Sequence, residues 1–274
     1  MAWGLEGVSV NYGRKAALKE VSFDVTPGSV VAIVGGDGAG KTTALRSVVG
    51  LVKTTSGRVI RPPIERVGVV PASSGVYPDL TVMENLDFAA RSYGVTKQEI
   101  ARRADELLGT TGLTSARHRL GSQLSGGMRQ KLAIAMGFIH QPDLLVLDEV
   151  TTGVDPVSRA ELWRLIARAV AHGSAAIVAT TYLDEAERAT SLVVLHEGRV
   201  LLSGTPDQAL GSVPGVVYEL GSRPNRYDSW RRGTRWRLCA PSDQPPEGGT
   251  LIEHDLQDAV IVAALQSAQG GEAA

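Results

Sequence analysis

The sequence predicts an α/β fold built on a parallel sheet, interrupted by an all-helical insert and followed by a small α+β appendage. Three observations predict it. SVVAIVG (29–35) is a continuous β-branched run, as a strand buried on both faces requires, and a helix opens at Lys41 just behind it. LLVLD (144–148) and AAIVAT (175–180) repeat that strand pattern around a helical stretch, AELWRLIARAVA (160–171). Residues 81–140 instead carry helical periodicity, in VMENLDFAARSY, QEIARRADELLG and GGMRQKLAIAMGFI, with few strand runs.

The remaining elements follow in order. LEGVSVNY (5–12) and EVSFDV (20–25) alternate like strands, and TPGS (26–29) is a turn. The helix from Lys41 runs to Gly50. RVGVV (66–70) is a short strand closed by Pro71. LVVLHEGRVLLSG (192–204) is a hairpin turning at Glu197 and Gly198. After Gly211 the texture shifts to the turn formers of SRPNRYDSWRRGTRW and SDQPPEGG. VVYEL and WRLCA read as short strands there, and LQDAVIVAALQ (256–266) as a small helix. The expected division is therefore a main domain over 1–211, with its helical insert at about 72–142, and an accessory region over 212–274. The terminal GGEAA is expected to fray.

Bulk composition excludes several classes. With 274 residues, 43% hydrophobic and 21% charged, the chain has ordinary globular values. A net charge of −1 supplies no global basic field for nucleic acid. The single cysteine, Cys239, excludes an intramolecular disulfide framework and suits a reducing cytoplasm. No run approaches the roughly 18 apolar residues that read as a bilayer span, and MAWGLEGVSV has neither a basic segment nor an apolar signal core. A membrane process would need other chains to supply the membrane part.

GGDGAGKT (35–42) lies between the buried strand and the helix, the context in which G-x-x-x-x-G-K-[ST] binds phosphates. Gly35, Gly38 and Gly40 let backbone wrap an anion, with Gly36, Asp37 and Ala39 completing the loop. Lys41 would reach the β/γ oxygens of ATP, and the Thr42 hydroxyl would ligate Mg²⁺. The plain alternative is a glycine-rich turn without a ligand. Asp148 ends a buried strand, where a carboxylate needs a cation; Mg²⁺ between Thr42 and Asp148 answers that need. Glu149 follows and could orient or deprotonate an attacking water, or make an exposed strand-end salt bridge.

LSGGM (124–128) after the helical insert narrows the reading. The chain resembles the nucleotide-binding subunits of ATP-binding-cassette (ABC) transporters from about residue 3 to 210. The resemblance implies a RecA-like P-loop NTPase core with an antiparallel β subdomain and an inserted helical subdomain, and ATPase activity with ATP and Mg²⁺. It implies adenine stacking by Tyr12, which could otherwise be a core tyrosine, and a phosphate loop running from Gly35 through Thr43. Leu124, Ser125, Gly126, Gly127 and Met128 match the segment that caps the γ-phosphate of ATP held by the opposite subunit. By itself, Ser125 followed by two glycines reads as a helix N-cap with free N–H groups, an anion site or a plain cap. Asp155 in TGVDP matches the acidic residue of the loop crossing the dimer interface, and YLDEAER (182–188) the helix after the switch strand. LTVMENLDFAARSYGV (80–95) and LQDAVIVAAL are similar to bacterial drug, antibiotic and polysaccharide exporter subunits.

Three positions depart from the family pattern. Ala72 stands where a glutamine contacts Mg²⁺ and water, Thr181 where a histidine contacts the γ-phosphate, and Val150 where a proline follows the glutamate. Alanine offers Mg²⁺ no oxygen, and threonine cannot carry histidine's charge. The expected result is a site that binds ATP and hydrolyses it slowly, with Glu149 impaired; tolerated drift is the alternative. Six arginines between Arg223 and Arg237, interleaved with Trp230 and Trp236, read as a β module's solvated basic face rather than a nucleic-acid patch. Cys239 is expected to be packed, and His118 and His196 to be ordinary surface residues.

The leading expectation is an exporter's ATP-binding subunit on the cytoplasmic face of the membrane. It would pair with a second, non-identical ATP-binding subunit under separate membrane-spanning chains, with no nucleic acid. The rivals are a soluble non-transport regulator and a homodimer with two slow sites.

Overall fold

A computed structural model describes residues 2–226 and 228–271. The first sheet is antiparallel. β1 (Trp3–Tyr12) is central between β2 (Lys15–Val25) and β4 (Ser56–Ile60), with Tyr12 opposite Lys15 at the hairpin end. The second sheet forms the centre of the molecule. Its strands are β3 (Val30–Val34), β5 (Val67–Val70), β6 (Leu144–Asp148), β7 (Ala175–Thr180), β8 (Ser191–His196) and β9 (Arg199–Gly204), in the order β5-β6-β7-β3-β8-β9. All pairings are parallel except β8–β9. Register aligns Val34 with Thr180 and Asp148 with Ala179, so three strands end together on one edge.

The continuous apolar runs follow from burial on both faces. Val31, Ile33, Leu144 and Val146 pack towards the first sheet and α1 (Lys41–Val48). Val30, Ala32, Leu145 and Leu147 pack with α5 (Pro156–Ala171). The helical insert has its own core, in which Leu86, Leu108, Leu132 and Ile139 join α2 (Val82–Ser92), α3 (Lys97–Thr111) and α4 (Gly126–Phe138). Thr81 and Glu84 form a capping box on α2, and Thr96 caps α3. The short α6 (Leu183–Ala186) follows β7.

α7 (Pro206–Gly211) leads to the appendage, a sheet ordered β11-β12-β10-β13. These are β10 (Val216–Leu220), β11 (Ser229–Arg232), β12 (Arg235–Ala240) and β13 (Thr250–Ile252), covered by α8 (Leu256–Gly271). Val217, Trp230 and Val262 form a small core, while Leu256 joins the main one, so α8 ties both parts together. α8 carries helix through Gly270 and Gly271, further than the expected frayed GGEAA; 272–274 lie outside the described residues.

One expectation is corrected in part. Arg223, Arg226, Arg231 and Arg235 are exposed, as a solvated face expects, but the face is not simply basic, because opposite charges meet most of the arginines. Arg232 and Arg237 both reach the fully buried carboxylate of Asp258 on α8, which also accepts from Trp230 Nε1. Arg226 pairs with Asp228, Arg235 with Glu219, and Arg223 lies over the Trp236 ring. Burying a carboxylate requires such paired donors, and they come from residues more than twenty positions away. Cys239 is packed, with burial pushing its thiol up, and His118 and His196 are exposed, as expected.

Candidate nucleotide-binding site

The phosphate loop leaves β3 at Val34 and enters α1 at Lys41. Gly40 has φ 111°, and a methyl group there would stand 2.8 Å from the Ala17 carbonyl, so only glycine fits. The β1–β2 hairpin therefore flanks the loop, and Tyr12 at its end is 49% exposed, a free ring rather than a core tyrosine. No side chain caps α1, which leaves its first N–H groups to an anion. Asp37 and Gly36 are exposed beside them, Ala39 is buried, and Thr43 lies half-buried in the first turn.

Lys41 Nζ is 5% exposed and donates to the carbonyls of Gly35 (2.8 Å) and Gly36 (3.2 Å). It also pairs with Glu149 at 3.1 Å. Thr42 Oγ1 donates to Asp148 Oδ1 at 3.3 Å. Burial pushes the Asp148 carboxyl up, the Thr42 hydroxyl opposes that, and neighbouring Glu149 raises it further. A hydroxyl beside a desolvated carboxylate is a hard-oxygen donor pair suited to Mg²⁺. Glu149 sits at φ 49°, its N–H held by the Ala179 carbonyl. Ala72 and Thr181, both exposed, follow β5 and β7 on either side of β6, and Val150 is buried in the core.

The other predicted residues lie elsewhere. Ser125 caps α4, accepting from Met128 N–H at 3.3 Å. Gly126 faces open space, whereas a methyl on Gly127 would meet Ser158 Oγ at 3.0 Å; Leu124 is buried. Asp155 caps α5 by accepting from Val157 and Ser158 N–H, and the Ser158 hydroxyl first, then its N–H, holds the carboxyl below the usual range. Among the described residues, no hydrogen bond joins 124–128 or Asp155 to the phosphate loop.

The model of the ABC transporter family matches residues 18–152. Nod factor export ATP-binding protein I of Cupriavidus metallidurans is 36% identical over 272 residues, covering 94% of this chain and 88% of that protein. The chain belongs to the ABC transporter family. Its ATP-binding proteins are ATPases, and the cassette fold is the one described above. The probable multidrug ABC transporter ATP-binding protein YbhF of Escherichia coli is 37% identical over 76% of this chain, which spans only 38% of that protein's length. A solved ATP binding subunit of an ABC transporter superposes with TM-score 0.70 at 30% identity, covering 76% of this chain and 92% of its own. A bacterial ABC transporter cassette solved as a dimer has TM-score 0.68 at 25% identity, covering 75% and 98%.

Sequence reasoning missed one part of this cassette's site region. Glu185, Thr151, Thr180 and Arg159 converge in the core just behind Glu149 and Thr181. YLDEAER reads only as a helix after the switch strand, and the fold shows that its second acid points inward.

Proposed function

We propose that this chain is the ATP-binding subunit of an exporter, working as an asymmetric dimer with a second, non-identical ATP-binding subunit. Separate membrane-spanning chains would complete the complex and hold the cassette at the cytoplasmic face of the membrane. Among the described residues, no helix is long and apolar enough to cross a membrane. The carrying observation is the contrast at the sheet edge: Thr42 and Asp148 meet as a Mg²⁺ site needs, while Ala72 offers no side-chain oxygen and Thr181 only a short, uncharged hydroxyl.

This cassette then binds ATP through Tyr12, Gly35–Thr43 and Mg²⁺ at Thr42 and Asp148, and turns it over slowly. Losing one preorganised donor lowers rate about 10²–10³-fold. The exposed start of α4, with Ser125, Gly126, Gly127 and Met128 behind Leu124, serves ATP on the partner's phosphate loop, and Asp155 reaches across beside it. The cassette proper is 1–211, with its helical insert at about 72–142, and 212–274 is accessory. The export-protein relatives support the transport reading.

The test uses the complex purified from its native membrane. Gly126→Asp, which sets a carboxylate against the partner's γ-phosphate, should abolish most ATPase activity, and Glu149→Gln in this chain should do far less. Equal damage from both would overturn the asymmetric model.

A further inference from the structure

Glu185 is buried completely, yet it lies in a four-residue helix one turn beyond the sheet edge. A carboxylate in that place must have a reason strong enough to offset its desolvation. Its Oε2 accepts from Thr151 Oγ1 at 2.9 Å and from Thr180 Oγ1 at 2.6 Å, and both threonines are buried. Its Oε1 faces Arg159 Nε at 3.7 Å, and neither of those two atoms has a hydrogen-bond partner. Arg159 in turn spreads over the Tyr182 ring, 4.2 Å from its centroid, and approaches Asp184.

These partners come from different segments of the chain. Thr151 lies two residues beyond Glu149 in the loop that ends at Asp155. That loop is otherwise held by Glu149 N–H on the Ala179 carbonyl of β7 and by turn bonds, Thr152 N–H to the Glu149 carbonyl and Val154 N–H to the Thr151 carbonyl. Thr180 ends β7 immediately before Thr181, and its hydroxyl also accepts from Tyr182 N–H at 3.1 Å. Arg159 lies in the first turns of α5, the helix that Asp155 caps. One carboxylate oxygen therefore bridges the glutamate loop and the switch segment, and the other leans towards the interface helix with an unfilled bond.

We infer that Glu185 is a positioning residue that couples the 149–155 loop to the 180–182 segment, so that the two move as one unit. This rests on reading Glu149 and Thr181 as γ-phosphate neighbours only for its consequence on turnover; the coupling itself stands on the hydrogen bonds. A purely local structural role predicts that disturbing one threonine loosens its own segment alone. Coupling through the shared Oε2 predicts that the far segment loosens too, because the carboxylate is freed to shift towards Arg159.

Amide hydrogen exchange on the full chain distinguishes the two. Thr151→Val and Thr180→Val keep shape and volume and remove one donor each. Thr151→Val should speed exchange at the Tyr182 and Glu185 amides, and Thr180→Val at the Thr152 and Val154 amides, by roughly tenfold, the scale of one lost hydrogen bond to a charged acceptor. Glu185→Gln should loosen both segments at once, and in ATP turnover by the chain should lower kcat with KM unchanged, since it leaves Lys41 untouched. Exchange confined to the mutated segment would overturn the coupling. Should Glu185→Gln fail to fold, the two threonine variants still decide. Should the wild-type chain bind no ATP, the nucleotide-site reading fails, while the exchange result still judges the coupling.

Discussion

Replacing Lys41 by alanine removes the cation that, on the proposed reading, faces the phosphates from inside the loop. Its ammonium is already saturated by Gly35 O, Gly36 O and Glu149, so ATP must take over at least one of these bonds. A charge-assisted hydrogen bond is worth about 1.5–3 kcal/mol, or about 10–150-fold in Kd. Lys41→Ala should therefore weaken binding of Mg²⁺-ATP within that range. It should fall towards the upper end, because the Glu149 carboxylate is left uncompensated beside the phosphates. Glu149→Gln should act with the opposite sign. It frees Nζ from an ion pair that ATP displaces, and a partly exposed pair of about 1 kcal/mol corresponds to about fivefold tighter binding. Calorimetric titration of the full chain measures both. An unchanged Kd for Lys41→Ala would refute the phosphate-loop assignment, and weaker binding by Glu149→Gln would refute the competition.

Three further outcomes follow from the appendage. Deleting 212–274 strips Leu256 from the main core and should lower the melting temperature, yet leave ATP affinity intact; a folded truncation that no longer binds ATP contradicts the domain division. Leu256→Ala alone should cost about 2–5 kcal/mol in denaturant unfolding, as for other fully buried leucines. The Asp255 carboxyl is held at about 2, from an ordinary 3.8, first by the Arg232 guanidinium. A depressed carboxylate stabilises the fold above its unfolded pKa, so that contribution is present above about pH 4 and lost as pH falls towards 2. Asp255→Asn should flatten the stability–pH curve in that window, and an unaltered slope in the variant would rule the pair out as its source.

Two of the buried strands were legible to the residue: LLVLD and AAIVAT are β6 and β7 as read, because a run of apolar residues bounded by polar ones needs no partner to be recognised, while β3 and β5 came within one residue. β4 escaped notice for the converse reason. SGRVI has three exposed and two half-buried residues, and only its register with β1 makes it a strand. β13 is three residues long, and α7 is too short to show a helical period. The phosphate loop, Asp148 and the Ser125 cap were readable because each sits where a local motif meets its element. Three facts had no local signature: that Glu149 turns back onto Lys41, that Glu185 points inward, and that Asp258 gathers two arginines. Each depends on residues brought together from distant parts of the chain.

On the proposed reading, the cassette keeps one role while part of another is weakened, and the places of Ala72 and Thr181 fit that division. Ala72 and Thr181 are exposed just beyond the buried ends of β5 and β7. The α4 start and the α5 start are instead packed together. Gly127 lies against Ser158, whose N–H is held by Asp155, so a methyl at 127 would press on the Ser158 side chain at 3.0 Å. α4 is further fixed to the sheet at Gly137, where a methyl would meet Val70 Cγ2 at 2.9 Å. On the proposed reading, the surface offered to the partner's ATP is thus built into helix packing, while the donors for the chain's own ATP hang from loop ends. Substitution at the loop ends lowers local turnover without altering the helix contacts, whereas substitution at Gly127 strains them directly. A fold arranged this way lets two sites of a dimer diverge in rate while each subunit still completes the other's site.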